Sequence, residues 1–78
     1  MQKITIYTTP SCVYCKMTKA FFKENNVQYE EKDVSADAMA RDEMTAKSDQ
    51  MGVPVIDIDG KILVGFDKEG LSELLNIK

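Results

Sequence analysis

Polar and apolar residues alternate from Lys3 to Thr8, and Ile4, Ile6 and Tyr7 give this run the β-branched and aromatic character of a first strand. Thr9-Pro10-Ser11 breaks it. The period then changes. Val13, Met17, Ala20 and Phe21 recur at helical spacing over residues 12–24, and Asn25-Asn26, which tolerate the left-handed conformation, end that helix. Val27-Gln28-Tyr29 opens a second strand running to Val34, and Ser35 then reads as the N-cap of a helix over residues 36–47. That helix is rich in strong helix formers, with Ala36, Ala40, Met44 and the aliphatic stem of Lys47 on its inner face.

A third strand is predicted over Val53 to Ile58 and a fourth over Lys61 to Val64. The Asp59-Gly60 between them is a strong hairpin signal, because both residues adopt positive φ readily. Phe66 and Leu71 flank Asp67 as a hydrophobic staple around an N-cap, and Leu71, Leu74, Leu75 and Ile77 turn the last helix toward the sheet. The order is β-α-β-α-β-β-α. A right-handed crossover pairs the first two strands in parallel, and the hairpin pairs the last two antiparallel. The expectation is an α/β fold, a four-stranded mixed sheet flanked by three helices, in a single domain over residues 1–78 with no linker or repeat.

Composition narrows the function. A net charge of −3 argues against a nucleic-acid partner, which needs a basic surface. No apolar run approaches the roughly 20 residues of a membrane span. The opening Met1-Gln2-Lys3-Ile4-Thr5-Ile6-Tyr7 reads as strand and not as the apolar core of a secretory signal, so a cytoplasmic, reducing compartment is expected. The absence of histidine excludes a Cys-His hydrolase and histidine metal ligands. Glu30-Glu31-Lys32-Asp33 reads as a solvated strand end, and the five methionines read as core filler.

The chemistry concentrates in Cys12-Val13-Tyr14-Cys15, which holds both cysteines of the chain. The pair follows a strand and heads a helix, where unpaired N–H groups and the positive end of the macrodipole favour thiolate over thiol. Cys12 is the expected nucleophile. Cys15, one turn on and on nearly the same face, is placed to resolve a mixed disulfide. As a permanent staple the pair would close too short a loop to restrain the unfolded chain much. The alternative of another class is a metal or iron–sulfur cluster-binding module. Two cysteines supply half of a tetrahedral set, so that reading needs a second chain or added thiols, and no metal site is expected within one chain. Tyr14 borders a substrate groove or merely shields Cys15, and Tyr7 packs on the sheet.

Three segments, Thr8-Thr9-Pro10-Ser11-Cys12-Val13-Tyr14-Cys15-Lys16, Gly52-Val53-Pro54 and Val64-Gly65-Phe66-Asp67, resemble the glutaredoxin-like proteins of the thioredoxin-fold superfamily. Among these are compact redoxins that donate electrons to ribonucleotide reductase. The resemblance implies a thioredoxin fold and a cis Val53–Pro54 bond facing the cysteines. The Val53 backbone would pair with an extended peptide or glutathione, and Gln50, Gly65 and Asp67 would lie at glutathione-contacting positions. It implies a thiol-disulfide oxidoreductase acting on protein or glutathione mixed disulfides, with no bound cofactor. Glutathione or thioredoxin reductase would be the electron donor, disulfide-containing proteins the partners, and a monomer the working form. An alternative is a hydrogen donor to ribonucleotide reductase recharged by thioredoxin reductase. The chain departs from the family pattern in having Val13-Tyr14 where Pro-Tyr is typical, Gly52 for Thr, Val64-Gly65 for Gly-Gly, and threonine at Thr8 or Thr9 for a lysine.

Overall fold

The computed structural model describes residues 3–76, so Ile77 of the expected last helix and Met1-Gln2 of the opening run lie outside the described residues. In chain order the elements are β1 (Ile4–Thr8), α1 (Val13–Glu24), β2 (Glu30–Asp33), α2 (Ala38–Ser48), β3 (Val55–Ile58), β4 (Lys61–Val64) and α3 (Lys68–Leu75). The sheet order is β2-β1-β3-β4, with β1 parallel to β2 and antiparallel to β3, and β3 antiparallel to β4. This is the four-stranded mixed sheet with three helices that the pattern predicts, and the thioredoxin fold that the resemblance implies.

Every residue of β1 is buried, because helices cover both faces of the sheet. The registers Ile4↔Ile58 and Ile6↔Ile56 put four isoleucines on one face, where they pack with Phe21 and Phe22 of α1 and Leu71 of α3. Tyr7↔Val55 lies on the opposite face and packs with Ala40 and Met44 of α2 and with Val34. The period-2 geometry of a strand thus assigns each layer its core. At the edge, β2 is made entirely of Glu30-Glu31-Lys32-Asp33, charges that discourage pairing with another strand.

Local signals fixed the turns. Asp59 and Gly60 both have positive φ (52° and 93°), as a two-residue hairpin of the primed type requires. Asp67 caps α3 by accepting from the Gly70 N–H at 3.0 Å, and Phe66 packs against the cluster that holds Leu71. Asn26, at φ 56°, closes α1, and the Val27 N–H donates to the Phe22 carbonyl at 2.8 Å.

Five expectations are corrected. The N-cap of α2 is Asp37, which accepts from the N–H groups of Met39 and Ala40; Ser35 instead donates twice to the Asp33 carboxylate. With the start moved, Ala36 lies outside the helix and is exposed. The second strand is confined to residues 30–33, while Val27 and Tyr29 pack against the core in the connection before it. The inner face of α1 is Cys15, Thr18, Phe21 and Phe22, not the Val13–Met17–Ala20 stripe. Thr18 is buried there without penalty because its hydroxyl donates to the Tyr14 carbonyl at 2.8 Å. The methionines divide: Met44 is buried, whereas Met17, Met39 and Met51 are exposed.

Tyr7 packs on the sheet as expected, and its hydroxyl organises an ionic cluster that no local pattern announces. The hydroxyl donates to the Glu43 carboxylate and accepts from the Lys47 ammonium at 3.1 Å. Lys47 also reaches Asp57 at 2.7 Å, and Lys32 reaches Glu43 at 3.3 Å. Burial, and then the bond to Glu43, raise the Tyr7 pKa. The Tyr7 hydroxyl and then Lys47 hold the Glu43 carboxyl down at about 2, against 4.5 ordinarily. An acid whose pKa is lowered by folding adds stability above its unfolded value, and that stability disappears as pH falls through the folded one. The Glu43 contribution is therefore complete above pH 4.5 and lost toward about 2. Its side chain is 40% exposed, so solvent screening holds the effect to about 1 kcal/mol or less. Urea midpoints measured from pH 6 down to about 2 are expected to fall less steeply in Glu43→Gln than in the wild type. Parallel curves would exclude Glu43 from the acid limb.

Candidate functional site at one end of the sheet

Register brings the three sequence segments together. Tyr7 pairs with Val55 and Val55 with Val64, so the loop after β1, the loop before β3 and the loop after β4 all leave the sheet at the same end. The Gly65 N–H donates to the Pro54 carbonyl at 2.8 Å, tying the last two loops to one another. The polar recess lined by Lys3, Glu30, Asp59 and Gly60 belongs to the opposite end and to the Tyr7–Glu43–Lys47 cluster.

Cys12 is the N-cap residue of α1, with extended backbone (φ −80°, ψ 113°). Its N–H donates to the Thr9 carbonyl at 3.2 Å, and its carbonyl accepts from the Lys16 N–H at 3.2 Å. Its sulfur takes the place of a capping oxygen and accepts the Cys15 N–H at 3.0 Å. Cys12 and Cys15 are joined as a disulfide, with Cα atoms 5.2 Å apart. Cys15 is fully buried, whereas Cys12 keeps partial access to solvent. No acidic residue stands in the first turn of α1 to cancel the positive end of the helix. The electrostatics therefore favour negative charge at Cys12, and the burial gradient separates an accessible sulfur from a shielded one.

Around this pair, Val13 and Tyr14 are 65% and 61% exposed, so the residues between the cysteines form an apolar surface beside Cys12. Val53–Pro54 is a cis peptide bond, Pro54 is buried and Val53 half-buried. Gly65 has φ +80° with nothing within 4 Å of where a side chain would start, so the space above it is open, while a Cβ there would strain the backbone. Val64, the neighbour that replaces a glycine, is 53% exposed. Asp67 is exposed and occupied with capping α3.

Gln50 lies in the loop entering β3, and its carboxamide is turned back on its own chain. Its Oε1 accepts the Gly52 N–H at 2.6 Å, and its Nε2 donates to the Gly52 carbonyl at 3.0 Å and to Ser48 Oγ at 3.4 Å. The roles of Gly52 and Ser48 were not read from sequence; the replacement of threonine by Gly52 was the one available signal. Among the described residues, no group of three or more His, Cys, Asp or Glu side chains is placed to hold a metal ion, and no helix is long and apolar enough to cross a membrane.

Comparison with known proteins agrees with this geometry. The sequence model of the glutaredoxin family matches residues 4–63. A glutaredoxin-like 8.6 kDa protein of the rubredoxin operon of Clostridium pasteurianum, itself uncharacterised, is 46% identical over 72 residues, covering 92% of this chain and 96% of that protein. A crystal structure of a mutant of the thioredoxin-like protein BC3987 superposes with a TM-score of 0.93 at 45% identity, covering 100% of both chains. Escherichia coli NrdH-redoxin, described as a glutaredoxin-like protein with a thioredoxin-like activity profile, superposes with a TM-score of 0.83 at 26% identity, covering 92% of this chain and 93% of that one. With its cysteine pair at the head of α1 and the family match spanning most of the sheet, the chain belongs to the glutaredoxin family and carries a glutaredoxin-like redox function.

Proposed function

We propose that the protein is a thiol–disulfide oxidoreductase whose Cys12/Cys15 dithiol reduces disulfides in protein substrates in a cytoplasmic setting. We further propose that it is returned to the dithiol by a flavin reductase of the thioredoxin-reductase type rather than by glutathione. The observation that carries this reading is the pair itself: an accessible sulfur capping α1, with a buried sulfur in bonding reach one turn behind it. In the dithiol, the Cys12 thiolate attacks one sulfur of the substrate disulfide and displaces the other as a thiolate, which takes a proton from solvent. The Cys15 thiol loses its proton and attacks Cys12 Sγ. The second substrate sulfur leaves, and two electrons have passed to the substrate. The N–H of Cys15, aimed at Cys12 Sγ, is the donor available to a thiolate there.

The choice of donor rests on the surface around the pair. Val13, Tyr14 and Val64 offer exposed apolar area, suited to a protein face and poorly matched to a small anionic tripeptide. The likeness to NrdH-redoxin, described as having a thioredoxin-like activity profile, favours a donor of the thioredoxin kind over glutathione. A ribonucleotide reductase disulfide is the protein substrate to which the compact-redoxin resemblance points.

The test is turnover of a small mixed-disulfide substrate, driven in parallel by NADPH with thioredoxin reductase and by glutathione with glutathione reductase. Turnover restricted to the first arm is expected. Comparable turnover in the second arm would overturn the donor, and none in either would overturn the oxidoreductase reading.

A further inference from the structure

We infer that Gly52 is a specificity-determining residue: by letting the Gln50 carboxamide close on the backbone just before Val53–Pro54, it withholds hydrogen-bond donors from a small anionic peptide thiol such as glutathione. The inference rests on the reading above and deepens it. Gly52 is exposed at the end of the sheet that carries Cys12, where a short extended peptide would have to lie. Such a ligand needs unpaired backbone groups and, for its carboxylates, N–H donors. Here both main-chain groups of Gly52 are taken, the N–H by Gln50 Oε1 at 2.6 Å and the carbonyl by Gln50 Nε2 at 3.0 Å. The clamp satisfies itself, so a ligand would have to break two bonds to gain two.

The missing Cβ of glycine leaves room for this closure. A Cβ at position 52 would stand 2.7 Å from Gln50 Oε1, well inside contact distance, and 3.8 Å from the next nearest atom. Gly52 does not adopt a positive φ, so the backbone itself accepts an L residue. What must move is the end of a flexible side chain. A residue larger than glycine therefore forces the Gln50 carboxamide to shift, loosening its hold on the main-chain N–H and carbonyl of position 52 at the Cys12 end of the sheet.

The experiment compares wild type, Gly52→Ala and the double variant Gly52→Ala/Gln50→Leu, using a glutathionylated peptide as substrate and the Gln50 side-chain amide resonances as a structural readout. Gly52→Ala is expected to shift those resonances and to raise kcat/KM for the glutathionylated peptide about five-fold, through KM, as one or two new hydrogen bonds would. The double variant is expected to lose most of that gain. Unmoved resonances in Gly52→Ala would overturn the steric premise. Moved resonances without a change in KM, or a gain that survives loss of the amide, would overturn the role in specificity. Efficient glutathione use by the wild type is a separate result: it would overturn the donor proposed above, and the response to Gly52→Ala would still decide this inference.

Discussion

Replacing Cys12 with serine is expected to abolish disulfide reduction with any electron donor, a loss on the order of 10³-fold or more, because the attacking atom itself is removed. Cys15→Ser is expected to behave differently. It should stop after one exchange, accumulate a mixed disulfide on Cys12, and keep only reactions in which an external thiol such as glutathione does the resolving. The asymmetry follows from exposure: Cys12 is accessible at the head of α1, and Cys15 is buried behind it. Steady-state rates of both variants, with mass spectrometry of the trapped adduct, test the assignment. Equal residual activity in the two, or an adduct on Cys15 of Cys12→Ser, would reverse or dissolve the division of labour.

The largest expected effect on stability is from Phe22→Ala. Phe22 is fully buried, 6.4 Å from the Phe21 ring and 5.1 Å from the Tyr29 ring by centroid, and sits in the cluster that joins α1 and α3 to the sheet. Truncating a buried phenylalanine costs about 3–5 kcal/mol, from lost burial and the void left behind. At roughly 0.05–0.15 kcal/mol per residue, a chain of this size holds only about 4–12 kcal/mol in all. The variant is therefore expected to lose a quarter or more of its stability. Urea unfolding followed by circular dichroism gives the difference directly. A loss below about 1 kcal/mol would mean that neighbouring rings collapse into the space.

Features that depend on a few neighbouring residues were legible in the sequence. The Asp59-Gly60 turn and the Asp67 cap need only local chemistry and formed as expected; the first strand formed too, but with its threonines buried along with its apolar residues. The cysteine pair at the head of α1 was legible for the same reason, whereas the convergence of three segments depends on β1 pairing with β3, a long-range contact that the order of elements does not announce. Errors arose where polarity misreports burial. The inner face of α1 includes Thr18, which polarity marks as outward, while Val13 and Met17 point away and remain exposed. The start of α2 was a contest between two caps two residues apart, decided when the Asp33 carboxylate captured Ser35 and left Asp37 to the helix. The partners of Tyr7 are 36 and 40 residues away, and no window of sequence contains them. Gln50 matched a ligand-contacting position by resemblance, yet its direction depended on the missing Cβ two residues later.

The three tyrosines are placed so that the protein can report its own redox state by light. With no tryptophan in the chain, ultraviolet emission comes from Tyr7, Tyr14 and Tyr29 alone. The Tyr7 hydroxyl is bonded to a carboxylate, an arrangement that drains excited-state energy by proton transfer, so its emission is dim in both redox states. Tyr14 stands exposed at a position between the two cysteines in sequence, and a disulfide quenches a nearby phenol far more than a dithiol does. Emission is therefore expected to brighten when the pair is reduced, so a titration with dithiothreitol would read the state of the pair without any added dye.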